Sequence, residues 1–431
     1  MELKEYKNIN EKVYSHTFNN GLKLNFIKKE GFKSFYVGLL VKFGSIVTKF
    51  TDGSRVQTIP TGVAHFLEHK LFSSADGEDI TFKFSELGLD VNAGTNFQTT
   101  VYYFSGINNF DKGVNLLLDF VQTPRYTEES VESEKDIIIQ ELLMYKDSPN
   151  ERLYFGTLEN LFESYPIRND VCGKVEDIRS TTKDILDLCH KTFYHPSNME
   201  IVISGDLDPD YVLNLIEQNQ SSKSFFEYRP VKVLFDDDKA VIKKSSINMD
   251  ITVPKISVGF KFPYSIEPNL DKNYIKEENL LWKMVFVFAF GNRTKFAINL
   301  IDEGLADDFL DLSLLIDKHT GFFSITADTK EPEKLIKRIK NRVRSIAKIK
   351  LNREIFELEK RTIYGSFVKS TASVYGVSSL ILDNIEDNTE FFHGLEFINS
   401  ITPEMIEKRC ASLKDFASTI FTIYPNSKDQ N

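Results

Sequence analysis

The sequence predicts an α+β protein with two homologous domains, each a mostly antiparallel sheet with helices packed on one face. Three observations lead to this prediction. The chain has 431 residues, more than a single hydrophobic core usually serves. Its two halves contain matching segments in the same order, as diverged copies of one unit do. Within each half, strand-like segments precede a helix, further strands and then helices, which is an order typical of α+β domains.

Four pairs of segments indicate the internal repeat. The paired ranges, first half with second half, are 36–44 with 256–263, 84–90 with 299–307, 100–104 with 322–327, and 114–120 with 333–339. A serine-rich polar stretch at 218–224 and a charged run at 236–239 lie between the two copies, as expected of a linker. We therefore predict one domain at 1–230 and a second at 231–431.

Composition and charge argue against several classes of protein. The formal net charge is −10, and no basic patch with interleaved aromatic residues occurs, so nucleic acid is not expected as the main partner. Segment 1–7 lacks the apolar run of a secretory signal, and the most apolar stretch, 284–290, is too short to span a membrane. Three scattered cysteines, an odd number, indicate reduced thiols and a cytoplasmic location.

The segment 65–69, which reads His-Phe-Leu-Glu-His, has the spacing of a metal site. The surrounding stretch 61–72 has a helical pattern, so His65 and His69 share one face and can reach one metal ion. Glu68 lies beside them, where a carboxylate can take a proton from a metal-bound water. The order inverts the His-Glu-x-x-His signature of common zinc peptidases. Roughly one chain in a hundred would show the pattern by chance, and the alternative is an amphipathic helix whose histidines have ordinary partners.

A third metal ligand is predicted downstream, in the helical pattern at 127–144. Glu134 and Glu141 are seven residues apart and therefore stack two turns apart on one face. The adjoining buried side is predicted to carry Ile137, Ile138, Leu142 and Leu143. A carboxylate next to such a side is costly unless it is paired or bound to metal. The alternative is a solvated charge stripe.

Together these segments resemble the inverted-motif zinc peptidases of the pitrilysin and insulinase family. Within that family they are most similar to the half-length class, which includes the mitochondrial processing peptidase and bacterial insulinase-like proteins usually encoded as unequal pairs. The resemblance also rests on 92–103, which looks like the family's active-site edge strand, and on 193–199 with Gly205 and Asp206 just after it. These matches span about the first half of the chain.

The resemblance implies a role for each matching residue. The implied zinc ligands are His65, His69 and Glu141. Glu68 would be the general base in the cleavage of peptides, and Glu134 would orient one of the ligands, as outer-sphere carboxylates do. Asn92 and Ala93 would lie beside the bound peptide, which can add to an exposed strand edge as a further strand.

The second copy lacks the metal motif. Where the first copy has 65–69, the second reads Trp-Lys-Met-Val-Phe at 282–286. Glu357 mirrors Glu134, but Tyr364 stands at the position that corresponds to Glu141. We therefore predict that 1–230 is the metal-binding catalytic domain, that 231–431 is metal-free, and that each chain binds one metal ion.

The second copy also departs from self-sufficient members of the family, which carry an arginine and a tyrosine that contact the peptide near the metal. Asp307 stands where the tyrosine is expected, and Thr294 falls at the arginine position with Arg293 beside it. A shift of one residue in the alignment would place Arg293 at the arginine position but would not restore the tyrosine. The resemblance therefore implies that a paralogue lacking the metal motif completes the site in a heterodimer. A homodimer is the alternative.

Two further interpretations assign other classes of function. The chain could be a non-catalytic assembly subunit with a vestigial site, as some relatives in respiratory complexes are. The intact set of His65, Glu68, His69 and Glu141 argues against this interpretation. The chain could also bind peptides and cleave them only slowly, since the edge strand suits binding as well as catalysis. Retention of uncleaved peptide would favour that function.

Overall fold

The computed structural model of the chain describes residues 1–72, 79–236, 241–263 and 271–426. Most of the charged run predicted to lie between the copies, 237–239, falls outside the described residues. In chain order the described strands are β1 (Glu2–Tyr6), β2 (Glu11–Thr17), β3 (Lys23–Lys28), β4 (Phe35–Val41), β5 (Lys49–Thr51), β6 (Val56–Thr58), β7 (Asp90–Thr95), β8 (Thr100–Gly106), β9 (Met199–Gly205), β10 (Lys232–Val233), β11 (Lys244–Met249), β12 (Lys255–Lys261), β13 (Asp311–Ile316), β14 (Gly321–Asp328) and β15 (Ala417–Pro425). The described helices are α1 (Val63–Phe72), α2 (Ile80–Glu86), α3 (Phe110–Gln122), α4 (Glu128–Asp147), α5 (Pro149–Leu161), α6 (Val175–Ser180), α7 (Lys183–Phe193), α8 (Pro209–Ser221), α9 (Tyr274–Phe290), α10 (Lys295–Asp302), α11 (Pro332–Ile346), α12 (Arg353–Ser370), α13 (Val374–Glu386), α14 (His393–Ser400) and α15 (Pro403–Ser412).

The chain divides into two compact units, each built on its own main sheet. Unit 1 comprises 1–143, 169–236 and 368–386, and unit 2 comprises 144–168, 237–367 and 387–431. The predicted two-domain α+β fold is therefore confirmed. Each unit also contains a helix from the opposite half of the sequence, so neither unit is one continuous segment. The predicted boundary between residues 230 and 231 concerns the two sequence copies and stays a prediction.

The main sheet of unit 1 has the strand order β1-β2-β3-β9-β4-β8-β7 in the described residues. Only the β3–β9 pair is parallel, and the other pairs are antiparallel. Every residue of β4 is buried, as expected of a central strand that is covered on both faces. Strand β7 lies at the end of the sheet, with alternately exposed and half-buried residues.

One face of this sheet packs against α1, α2 and α3 through aromatic rings. Tyr102 and Phe104 alternate along β8 and are both fully buried, since alternate residues of a strand point to one face. The ring centroid of Tyr102 lies 5.8 Å from that of Phe120 in α3, and the centroid of Phe104 lies 5.3 Å from that of Phe84 in α2. Aromatic packing therefore fixes the helices over this face.

Helix α13 covers the opposite face of the unit 1 sheet. Tyr103 of β8 stacks on Tyr36 of β4, and Tyr375 of α13 contacts Tyr36 edge-on, with ring centroids 5.5 Å apart. Buried hydroxyls bind the helix to β9, since Ser378 donates to Ser204 Oγ at 2.9 Å and Ser204 donates to the Val374 carbonyl at 2.8 Å. The structure thus adds a helix on the second face of the sheet, contributed by the second half of the sequence.

The main sheet of unit 2 repeats the topology of unit 1. Its order is β11-β15-β12-β14-β13, with β11–β15 parallel and the other pairs antiparallel. This order matches β3-β9-β4-β8-β7 strand for strand. The turns after α2 and α10 correspond as well, because each has a glycine with positive φ, Gly88 at 68° and Gly304 at 64°. The shared topology supports the interpretation of the two halves as diverged copies.

Helix α5 occupies in unit 2 the place that α13 occupies in unit 1, against the two central strands. Thr157 donates to Ser257 Oγ of β12 at 2.7 Å, inside the protein. A Cβ atom at Gly156 would lie 2.3 Å from the ring of Phe421 in β15, so only glycine permits this approach. Both sheets therefore receive a helix on the second face that comes from the opposite half of the sequence.

Two observations concern the predicted environment of the protein. Cys172, Cys189 and Cys410 are free and buried, which agrees with the prediction of reduced thiols. In the part of the chain that is described, no helix combines the length and apolar character needed to cross a bilayer. The cytoplasmic location stays a prediction.

We expect His190 to make the stability of the protein depend on pH. It is buried in α7, and its Nε2 lies 2.9 Å from the carbonyl of Val121 at the end of α3. Burial lowers the pKa of His190 to about 4, against the opposite effect of that hydrogen bond. Because the unfolded chain takes up the proton near pH 6.5 and the folded chain does not, stability is fully present above pH 6.5 and is lost as pH falls towards 4.

The variant His190→Gln keeps a donor for the Val121 carbonyl but does not titrate. Between pH 7.5 and pH 5, we expect the free energy of unfolding of the parent chain to fall by about 2 kcal/mol more than that of the variant. Urea unfolding at a series of pH values measures this difference. Equal pH dependence in the two chains would contradict the assignment.

Candidate metal centre

The start of α1 is fixed by a close crossing of two backbone segments. Gly62 precedes the helix with φ of +83°, and a Cβ atom there would lie 2.1 Å from the carbonyl oxygen of Cys172. Gly173 has φ of +89°, and its Cβ would lie 2.4 Å from the carbonyl oxygen of Thr61. Thr61 also donates through its backbone N–H and its hydroxyl to Asp177 of α6. These contacts fix the position of the helix that carries 65–69.

A Gly62→Ala change is expected to destabilise the protein strongly because it combines an unfavourable φ with a backbone clash. Gly53, in the turn between β5 and β6, offers a matched control, since its φ is +90° but a Cβ there would have no atom within 4 Å. Gly53→Ala should cost about 1 kcal/mol of backbone strain, and Gly62→Ala at least about 2 kcal/mol more. Urea unfolding of both variants tests this, and equal losses would show that the segments separate easily.

The structure brings the predicted ligands His65, His69 and Glu141 together. Glu141 Oε2 lies 3.7 Å from His65 Nε2 and 3.4 Å from His69 Nε2. The two imidazole ring centroids are 4.6 Å apart, as the four-residue spacing on one helix predicts. One carboxylate oxygen of α4 therefore faces the Nε2 atoms of both histidines of α1.

Glu134 lies behind His69, in the predicted orienting position. Its Oε1 is 3.2 Å from His69 Nδ1, and its Oε2 accepts a hydrogen bond from Lys70 Nζ at 3.0 Å. Burial opposes ionisation of this carboxyl, but the hydrogen bonds with His69 and Lys70 outweigh it and lower the pKa of Glu134. A carboxylate at Nδ1 holds the N–H there and directs Nε2 of His69 towards Glu141, the orientation that a metal ligand needs.

The two histidines differ in their affinity for protons. Burial, reinforced by the neighbouring charge of His69, lowers the pKa of His65. Burial alone would lower the pKa of His69. The hydrogen bonds with Glu134 and Glu141 outweigh this effect and raise the pKa of His69. His65 is thus held neutral, the form in which an imidazole binds a metal.

Glu68 lies on the same helix, with its side chain facing β7. Thr95, the last residue of β7, donates to Glu68 Oε2 at 2.5 Å. Glu68 is 9% exposed, and burial raises the pKa of Glu68, with the hydrogen bond from Thr95 acting against it. A carboxyl whose pKa is raised is better matched to accepting and returning protons near neutral pH.

The donor set fits a zinc ion. Zinc binds imidazole nitrogen and carboxylate oxygen at about 2.0–2.2 Å in tetrahedral geometry, which places neighbouring donors about 3.3–3.6 Å apart. The distances of 3.7 and 3.4 Å from Glu141 Oε2 to the two Nε2 atoms are close to this range. Two histidines and one glutamate are also a common ligand set of catalytic zinc.

Only a narrow stripe along helix α4 is buried, and Glu134 and Glu141 lie at the edge of that stripe. Its buried residues are Val131, Lys135, Ile138, Ile139 and Leu142. The prediction for Ile138 and Leu142 is confirmed, but that for Ile137 and Leu143 is wrong, since they are 57% and 41% exposed. At 100° per residue these two fall on either side of the stripe. Glu134 and Glu141 therefore lie at the margin of the core, half-buried, and not on a solvated surface.

The segment 92–103, predicted to be an edge strand, is a hairpin. Residues 92–95 end β7 and 100–103 begin β8, and the side chain of Asn96 accepts hydrogen bonds from the backbone N–H groups of Gln98 and Thr99 in the turn. A side chain that caps its own backbone favours a turn over a continuous strand. The edge of the sheet is β7, which carries Asn92 and Ala93.

Asn92 and Ala93 lie on the outer strand, whose last residue, Thr95, contacts Glu68. Asn92 is exposed and Ala93 half-buried. Ala93 and Thr95 alternate along β7 and so share a face, and Thr95 contacts Glu68. The N–H of Ala93 donates to Asn92 Oδ1 at 2.8 Å, so the Asn92 side chain covers a backbone donor. A Cβ atom at Gly94 would meet no atom within 4 Å, so there is open space beside the strand.

The second copy holds no comparable cluster in the described residues. Glu357, which mirrors Glu134, is exposed on α12. Arg293 makes a two-pronged ion pair with the buried carboxylate of Glu359, at 2.5–3.0 Å. Thr294 caps α10 through its hydroxyl, and Asp307 is exposed. Arg293 and Thr294 thus have structural roles within unit 2.

Three residues around the site were not predicted from the sequence. They are Lys70, Thr95 and Cys172, whose Sγ belongs to a cluster with His65 and Glu141 in which potential ligand atoms lie within 4.8 Å of one another. Most of helix α1 is buried, including Lys70. A buried lysine nearly always has an acidic partner, so a lysine in such an apolar helix could have predicted this contact. Thr95 and Cys172 come close only through the fold. Burial raises the pKa of the Cys172 thiol, with the charges of Asp170 and Glu141 adding to the effect.

Comparisons with known proteins agree on one family. The model described as insulinase (peptidase family M16) matches residues 28–173, and the model described as peptidase M16 inactive domain matches 180–363. An uncharacterized zinc protease of Bacillus subtilis strain 168, YmfH, is 35% identical over 373 residues, which cover 86% of this chain and 86% of that protein.

Solved structures give the same result. The crystal structure of a putative M16-like peptidase from Alicyclobacillus acidocaldarius matches with a TM-score of 0.91 and 29% identity, over 96% of this chain and 99% of that one. The periplasmic protease PqqL of Escherichia coli shares the fold, with a TM-score of 0.74 and 17% identity, over 96% of this chain but 47% of that one. The chain therefore belongs to the M16 peptidase family, the pitrilysin and insulinase family that its sequence resembles, and to the half-length class within it.

Proposed function

We propose that the chain is a zinc-dependent endopeptidase in which Glu68 activates the attacking water. The observation that carries this proposal is the position of one Glu141 oxygen, 3.7 Å from His65 Nε2 and 3.4 Å from His69 Nε2, facing the helix that also carries Glu68. Relatives named zinc proteases support the metal. The ligands would be His65, His69 and Glu141.

The mechanism assigns each side chain a separate task. A bound zinc ion would supply Lewis acidity, which lowers the pKa of a coordinated water and polarises the peptide carbonyl. Glu68 accepts the proton from the attacking water and then delivers it to the amine that leaves. Glu134 fixes the ring of His69, and Thr95 holds the carboxylate of Glu68 in place through the 2.5 Å hydrogen bond.

The peptide would bind along β7 as an added strand. This strand ends the sheet in the described residues, and its last residue contacts Glu68, so a peptide paired with it would run past the metal ligands. The open space at Gly94 favours close approach of another backbone. Asn92 would have to release the N–H of Ala93 for a peptide carbonyl to accept it. Recognition of this kind depends first on the backbone and then on side chains.

We propose further that a paralogous chain without the metal motif completes the substrate site. Arg293 is engaged by Glu359, and Asp307 stands where a tyrosine would contact the peptide, so this chain offers neither group. The protease PqqL, of which this chain covers 47%, supports an arrangement of two such lengths. A homodimer is the alternative assembly.

Metal analysis and peptide cleavage on the purified chain, alone and mixed with a paralogue that lacks the metal motif, test the proposed function. We expect one zinc per chain and cleavage only when both chains are present. Two zinc ions per chain would contradict the single site, and full activity of the lone chain would contradict the need for a partner. Zinc without cleavage in either sample, with peptide retained uncleaved, would overturn the peptidase and favour a peptide-binding or assembly role.

A further inference from the structure

The thiol of Cys172 lies next to two of the proposed zinc ligands. Its Sγ, a ring nitrogen of His65 and a carboxylate oxygen of Glu141 lie within 4.8 Å of one another, a group of the described residues that does not include His69. We propose that Cys172 is a fourth protein donor, which binds the metal through its sulfur when no peptide occupies the site. This inference rests on the proposed zinc site.

The position of Cys172 is fixed by its backbone. Its carbonyl oxygen would lie 2.1 Å from a Cβ at Gly62, so the residue is held against the turn that begins the metal-binding helix. Its N–H donates to Asp170 Oδ1 at 2.9 Å, and Gly173 follows in a conformation that suits only glycine. The backbone contacts therefore hold the buried Cys172 beside the proposed ligands.

The buried ring of His65 is not fully hydrogen-bonded by the protein. It is 8% exposed, and its Nδ1 has no hydrogen-bond partner, although buried polar atoms nearly always have one. This atom is not the ring nitrogen that faces Glu141, which is Nε2, so it shows an incompletely satisfied ring beside the cluster and does not itself mark the metal position. In a tetrahedral zinc site the donors are about 3.3–3.8 Å apart, so the sulfur would have to move towards the proposed ligands, His69 included, to share the ion with them.

Coordination by Cys172 would close the site. Cys172 would bind as the thiolate, with its proton released to solvent, in the position that water would otherwise take. Four protein donors are typical of structural zinc, whereas catalytic zinc keeps one position open. The chain would therefore rest in a closed form with tighter metal binding, and an incoming peptide or water would displace the sulfur, which would take a proton back from solvent.

Cobalt substitution tests this inference without any measurement of activity. The full-length chain loaded with Co²⁺ should show a near-ultraviolet sulfur-to-cobalt charge-transfer band as well as the visible bands of tetrahedral cobalt. Cys172→Ser and Cys172→Ala should lose the charge-transfer band and keep the visible bands. Cys189→Ser is the matched control, since Cys189 is also buried in unit 1 but lies in α7 outside the cluster, and it should keep both.

Zinc affinity gives a second measurement. We expect Cys172→Ala to weaken zinc binding about tenfold, the lower end of what supporting groups at metal sites contribute, and Cys189→Ala to leave it unchanged. Visible cobalt bands without the charge-transfer band in the parent chain would overturn the role of Cys172 and leave the zinc site standing. Absence of any cobalt binding would overturn the inference together with the proposed function.

Discussion

The Glu68→Gln chain is expected to lose about a thousandfold in kcat while it keeps its full zinc content. Glutamine is nearly the same size as glutamate and can still receive the hydrogen bond from Thr95 that Glu68 Oε2 accepts at 2.5 Å. It cannot take up a proton, and general acid–base catalysis by one group commonly contributes about 10²–10⁴-fold. Since the proposed ligands are His65, His69 and Glu141, the metal site should stay intact.

Zinc content by atomic absorption and steady-state kinetics on the purified variant, with the paralogue present, measure both parts of this result. Glu86→Gln is the matched control, because Glu86 is an exposed carboxylate on the neighbouring helix α2 and should retain full activity. A Glu68→Gln chain as active as its parent would refute the base assignment. A variant that has lost zinc as well would indicate that Glu68 is a ligand.

The sequence predicted those parts of the site that depend on helical periodicity. His65 and His69 are separated by four residues and Glu134 and Glu141 by seven, so each pair falls on one side of its helix, as the structure finds. The predictions for Ile137 and Leu143 failed on the same helix as Glu134. Four apolar residues were assigned to one side, whereas the 100° advance per residue leaves only Ile138 and Leu142 of the four in the core.

Contacts between distant segments could not be predicted from periodicity. Cys172 reaches His65 and Glu141 because the turns at Gly62 and Gly173 cross, and nothing in the local sequence specifies which turn opposes which. The exchange of α5 and α13 between the two sequence copies was missed for a related reason. Sequence copies show which elements correspond, but a helix of one copy has the same apolar pattern whichever sheet it covers.

Replacement of Lys70 by methionine is expected to lower the free energy of unfolding of the metal-free chain by about 3 kcal/mol, the usual cost of removing one partner of a buried ion pair. The Lys70 side chain is 2% exposed and that of Glu134 is 13% exposed, with Nζ and Oε2 3.0 Å apart. Methionine fills a similar volume, so the loss would report the charge and not a cavity. Urea unfolding in the presence of a chelator separates this effect from zinc binding.

A double-mutant cycle with Glu134→Gln isolates the ion pair between Lys70 and Glu134. The introduced amide is neutral but can still accept the hydrogen bond from His69 Nδ1, so the chain with both Lys70→Met and Glu134→Gln should recover part of the loss, with a coupling energy of at least about 1 kcal/mol.

Lys135→Met is the control for burial, because Lys135 is 7% exposed but pairs with Glu132, whose side chain is 73% exposed. This change should cost less than Lys70→Met. Zinc affinity should fall at least about tenfold in Lys70→Met, because a Glu134 carboxyl deprived of Lys70 protonates more readily and holds His69 less firmly. Additive losses in the cycle would mean that Lys70 stabilises α1 without acting through Glu134.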